Sequence, residues 1–103
     1  MDGRVQLPVI EYIQNKFNVE YVDMITEPGP NLILSENKNI ELLNSIFKRI
    51  DISISKHNSQ GIAITGHYDC AGNPASKNEQ LIHLKKSAEI IKQKYLTTPV
   101  IAL

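Results

Sequence analysis

The chain has one cysteine, Cys70, and no tryptophan. A single thiol excludes an intrachain disulfide and any site that draws two cysteines from this chain. An excess of charge of either sign is also missing, because eleven Lys and Arg balance eleven Asp and Glu for a formal net charge of zero. With no basic run or stripe in the sequence, the electrostatic footprint of a nucleic-acid binder is absent, and nucleic acid is not an expected partner. Apolar runs fall well short of the ~20 residues that span a bilayer, and Met1-Asp2-Gly3-Arg4 lacks the basic-then-apolar opening of a signal peptide. The sequence therefore predicts a cytoplasmic protein with no membrane partner. With 42% hydrophobic and 21% charged residues, the composition excludes the disordered and collagenous classes. Its 103 residues leave room for one domain, spanning 1–103.

Within that domain Leu7, Ile10, Ile13 and Phe17 recur at helical spacing. They predict a short helix over 7–17, with Pro8 in its first turn, where a missing N–H costs nothing. Residues 19–26 carry Val, Tyr, Met and Ile and stop at Glu27-Pro28-Gly29-Pro30, the pattern of a strand followed by a rigid loop. Ile40, Leu43, Phe47, Ile50 and Ile54 line one face of a helix predicted over 39–57. The apolar run from Gly61 to Gly66 reads as a strand buried on both faces. Ser76 followed by Glu79 is a capping-box signature, and Leu81, Leu84, Ala88, Ile91 and Tyr95 extend the helical rhythm over 77–95. A last buried strand is expected over 98–103, with Pro99 at its start.

The order helix, strand, helix, strand, helix, strand predicts an α/β fold, a parallel sheet flanked by helices. Three strands make a thin sheet for this much helix. The chain opens on a polar turn and closes inside an apolar strand, so truncation at both ends is expected, with a strand missing before Met1 or a partner chain completing the fold. An exposed apolar edge and face also predict a homodimer or a higher oligomer.

In open parallel sheets, ligands bind at the carboxyl ends of strands. Gly66-His67-Tyr68-Asp69-Cys70-Ala71-Gly72-Asn73-Pro74 occupies such a position. His67 and Cys70, three residues apart, can converge on one metal ion. Cys70 also precedes the helix capped by Ser76, whose N-terminal dipole favours a thiolate. The same residues admit a metal-free thiol enzyme, with Cys70 as nucleophile and His67 as its base. They also admit a non-catalytic α/β module in which Cys70 is a small buried hydrophobe. Glu27-Pro28-Gly29-Pro30-Asn31 follows a strand end and is a candidate pocket wall, while His57 and His83 are expected on solvated helix surfaces outside the site.

Gly66-His67-Tyr68-Asp69-Cys70 after an apolar strand resembles the second metal motif of β-class carbonic anhydrases, in which the His and Cys ligate zinc. Met1-Asp2-Gly3-Arg4 resembles the tail of that family's first motif, Cys-x-Asp-x-Arg, and in this alignment the first cysteine falls one residue before Met1. The resemblance is closest to the small divergent branch of the family and covers nearly the whole chain. Ala71 stands where the usual motif has glycine.

The resemblance implies a carbonic anhydrase-like fold and reversible hydration of CO₂ by zinc-activated hydroxide, with CO₂ and bicarbonate, or CS₂ or COS, as small-molecule partners. His67 and Cys70 would be metal ligands. Asp2 and Arg4 would form the catalytic ion pair, Arg4 holding Asp2 and Asp2 orienting the nucleophile. A thioether cannot replace a thiolate for zinc, so Met1 does not supply the third ligand, and zinc binding by the chain as given is expected to be weak or absent.

Overall fold

The computed structural model describes residues 2–67 and 72–103. Helix α1 spans Gly3–Phe17, α2 Pro30–Glu36, α3 Ile40–His57 and α4 Lys77–Lys94, and the strands are β1, Ile62–Ile64, and β2, Val100–Ala102. The starts of α1, α3 and α4 follow from side-chain caps. Asp2 accepts from the Arg4 N–H, Asn39 from Leu42 and Ser76 from Glu79, each satisfying a donor that the first turn leaves unpaired. Asn18, Asn37 and Asn58 close α1, α2 and α3 in the left-handed conformation, at φ of 52°, 53° and 56°.

β1 and β2 run parallel, with Ile62 opposite Val100 and Ile64 opposite Ala102. The chain is thus α/β with a parallel sheet, reduced to two strands among the described residues. α4 packs on both strands and against α2. Leu34, Leu43, Ile46, Ile50, Ile64, Leu84, Ala88, Ile91 and Val100 form the buried core, and Ile25, Phe47, Ile54 and Tyr95 pack around it. Tyr95 also donates its hydroxyl to Asp51 Oδ1 (2.7 Å) and the Phe47 carbonyl (3.1 Å). Burial and the Asp51 carboxylate push that phenol well above its usual range.

Several sequence expectations are corrected. Residues 19–26 are not a strand, because no neighbour among the described residues offers them a ladder, and β-forming side chains do not hold a strand alone. Pro30 starts a helix instead of ending a strand: it sits at N1 of α2, where its fixed φ suits the first turn, after Gly29 at φ 64°. α1 begins at Gly3, so Pro8 lies in its interior and removes the bond to the Arg4 carbonyl. α1 buries no residue, and Leu7 is 61% exposed. Ile40 and Leu81, expected in the core, are exposed, and Ile46 takes a place on the inner face of α3. Among the described residues no helix is long and apolar enough to cross a membrane.

Candidate functional site

The site stands where β1 ends. Ile62 and Gly66 donate backbone bonds to Pro99 and Leu103, and Leu103 donates back to Ile64, so β1 delivers His67 directly from a paired strand. Cys70, the second expected metal ligand, lies outside the described residues, as do Tyr68, Asp69 and Ala71.

On the other side of that segment, Gly72 meets the Pro28-Gly29 turn backbone to backbone. A Cβ at Gly72 would lie 2.3 Å from the Pro28 carbonyl carbon, and one at Gly29 would lie 2.5 Å from the Gly72 oxygen. Both contacts are closer than a side chain tolerates. A Cβ at Gly66 would meet a side chain instead, coming 2.8 Å from Asn31 Nδ2. Asn31 is 6% exposed and donates through that nitrogen to the Thr65 carbonyl (3.3 Å). Ser87 of α4, fully buried, donates to the Asn31 carbonyl (2.9 Å). α4, α2 and the end of β1 are therefore tied through Asn31. Pro28, Gly29 and Asn31 line the same groove as His67.

Asp2 and Arg4 form the ion pair that the motif implies. Arg4 Nε donates to both carboxylate oxygens of Asp2 (3.0 and 2.9 Å), its terminal nitrogen to Oδ2, and its backbone N–H to Oδ1 (2.9 Å). These bonds hold the Asp2 carboxyl well below the usual carboxylate range, and His67 lowers it further through space. Asp2, at the start of α1, and His67, just beyond β1, line one groove.

The sequence reading missed a polar cluster on the inner side of α4. Asn73 Nδ2 donates to His83 Nδ1 (2.9 Å), leaving the imidazole proton on Nε2, and Gln80 Nε2 donates to the Asn73 carbonyl (3.0 Å). Gln80 and Asn73 are buried and His83 is half-buried, which corrects the solvated placement expected for His83. The available signal was spacing: Gln80, His83, Ser87 and Ile91 recur every three or four residues beside Leu84. His57, at the end of α3, donates from Nδ1 to Asp23 Oδ2 (2.6 Å) and lines the same groove as His67.

Imidazole and thiolate are zinc donors, so His67 and Cys70 suit that metal by chemistry. Among the described residues, however, no three His, Cys, Asp or Glu side chains are grouped to hold a metal ion. The Asp2 carboxylate is already engaged by Arg4. By donor chemistry alone, His67 and Cys70 would make two of the three or four protein ligands that zinc takes.

No curated protein and no solved structure matches the chain. A family model described as putative carbonic anhydrase matches residues 1–103, the full chain. The chain, with its Asp2–Arg4 pair and its strand-end His67, belongs to the putative carbonic anhydrase family.

Proposed function

We propose that this protein carries the second half of a carbonic anhydrase zinc site, and that it hydrates CO₂ once a third ligand joins His67 and Cys70. The observation behind this reading is that Asp2 and His67, from opposite parts of the chain, line one groove. In the Cys-x-Asp-x-Arg motif that Asp2 and Arg4 resemble, the third ligand is a cysteine, which would fall one residue before Met1. Zinc, when bound, supplies a nucleophile at neutral pH by acidifying a water molecule.

The chain's own residues divide the remaining work. Arg4 keeps Asp2 ionised and fixed through a forked pair, so the carboxylate offers its remaining lone pairs as acceptors. Held in this way, Asp2 acts as an orienting acceptor for the attacking group and stays off the metal. Thr65 and Gly66, anchored by Asn31 and Leu103, set the height of His67 above the sheet. We place the protein in the cell interior as a homodimer, with the exposed Tyr12, Phe17 and Tyr21 on or after α1 available for self-association.

The test is CO₂ hydration, followed by stopped-flow with a pH indicator, in a chain extended by a cysteine before Met1 and loaded with zinc. Hydration in that chain, abolished by Cys70→Ser, is the expected result. A zinc-loaded extended chain with no hydration above buffer overturns the proposal.

A further inference from the structure

α4 grips Asn73 at two points. The Asn73 carbonyl accepts from Gln80 Nε2 (3.0 Å), and its side-chain Nδ2 donates to His83 Nδ1 (2.9 Å). Gln80 and His83 stand three residues apart on α4 and so share one face of the helix. Gln80 Nε2 also reaches the Ala75 carbonyl (3.4 Å). Asn73 and Gln80 are buried, so water competes little for these bonds.

The preceding residue is held from another side. Gly72 meets the Pro28-Gly29 turn backbone to backbone, so positions 72 and 73 are fixed between that turn and α4. Cys70 precedes Asn73 by three residues, and three residues reach no further than about 10 Å. A tether of that length passes a displacement of Asn73 on to the thiol.

Packing alone does not call for a polar pair here. On the half-buried flank of α4 an aliphatic side chain at position 83 would fill the same space, but it would hold the segment without fixing its register. A buried hydrogen bond is directional and does fix it, because any other register leaves the Asn73 donor unpaired away from water. His83 is not itself placed to take a metal through Nδ1, since that lone pair is occupied by Asn73, and Nε2 carries the proton.

We propose that His83 is a positioning residue for the metal site: it fixes Asn73 and, through Asn73, the placing of Cys70 toward a metal held with His67. The proposal rests on the reading of His67 and Cys70 as zinc ligands. The imidazole serves as a fixed acceptor and moves no proton. Its loss leaves the Cys70 thiol chemically intact but frees the Asn73 end of the segment from one register, so metal affinity falls while the fold stands.

The test titrates Cd²⁺, a softer stand-in for zinc that thiolate favours, into the chain of 103 residues. It follows the ultraviolet thiolate-to-cadmium absorption band, which Cys70→Ser should abolish. His83→Leu removes the acceptor at similar volume, and His83→Gln returns one through its side-chain carbonyl. The expected result is about 10–100-fold weaker cadmium affinity in His83→Leu, the usual cost of losing a partner that orients a metal ligand, and affinity within about threefold of the unaltered chain in His83→Gln. Urea unfolding midpoints of the three chains separate this from a packing effect. A merely structural His83 would shift the midpoint and leave cadmium affinity unchanged, which overturns the proposal. Should His83→Leu misfold, Asn73→Ala deletes the same bond from its other end and should weaken cadmium by the same factor; unchanged affinity there overturns the proposal as well. The two failures are distinguishable: no cadmium band in the unaltered chain overturns the ligand reading of Cys70 and this proposal with it, whereas equal affinity in the unaltered and substituted chains overturns this proposal alone.

Discussion

Gly29 and Gly72 meet backbone to backbone, with neither position able to hold a Cβ: one added to Gly29 would lie 2.5 Å from the Gly72 oxygen. This contact fixes the far end of the Gly66–Asn73 segment to the start of α2, while β1 fixes its near end.

Gly29→Ala should therefore lower stability by about 2–4 kcal/mol, because the left-handed φ of 64° and the backbone clash both oppose a side chain. Gly61→Ala, whose Cβ would meet only the Pro99 oxygen at 3.7 Å, should change it by less than about 0.5 kcal/mol. Urea unfolding midpoints at constant slope compare the two. Equal effects would refute the tight-contact account.

Ser87→Ala removes the donor to the Asn31 carbonyl from a fully buried position. Leaving that carbonyl unpaired should cost about 1–3 kcal/mol in urea unfolding. A loss below about 0.5 kcal/mol would mean that the hydroxyl contributes only volume.

The end of α3 gives a pH-dependent test. Hydrogen bonds from Ser53 and then His57 lower the pKa of the Asp23 carboxyl from its ordinary value. A carboxyl depressed in the folded state adds stability that is present above its unfolded pKa of about 3.9 and lost as pH falls through the folded value. The stability difference between the unaltered chain and Asp23→Asn should shrink as pH falls below about 4. A difference that persists unchanged to pH 2.5 would contradict it.

These tests bear on features that the sequence revealed unevenly. The extent of α3 was readable from the spacing of Leu43, Phe47, Ile50 and Ile54, and the start of α4 from the Ser76–Glu79 capping box. The parallel pairing of β1 and β2 followed from two short apolar runs separated by a helix. α2 was hidden because Pro30 reads equally as a breaker and as a helix starter, and only the left-handed Gly29 decides between them. Residues 19–26 have strand-forming side chains, but a strand also needs a neighbour, which is a property of the assembled sheet. At the site, Asp2 and Arg4 were readable through their motif alone. The Asn73–His83–Gln80 cluster was not, because polar residues on a helix look solvated until the packing is known.

Arg4→Ala should release Asp2. The carboxyl should then titrate closer to the ordinary carboxylate range, which ¹³C NMR of the side chain would follow. In the zinc-loaded extended chain, activity should fall on the order of 10–100-fold, as for other losses of a partner that orients a site. Unchanged Asp2 titration would show that Arg4 does not govern it.

The most direct test of the central claim, that His67 and Cys70 are two of three protein ligands to zinc, is zinc X-ray absorption on the chain extended by a cysteine before Met1. The account predicts about one zinc per chain, with two sulfurs at about 2.3 Å and two lighter donors at about 2.0–2.2 Å, and one sulfur fewer in Cys70→Ser. A metal-free extended chain, or a zinc shell without sulfur, would contradict it.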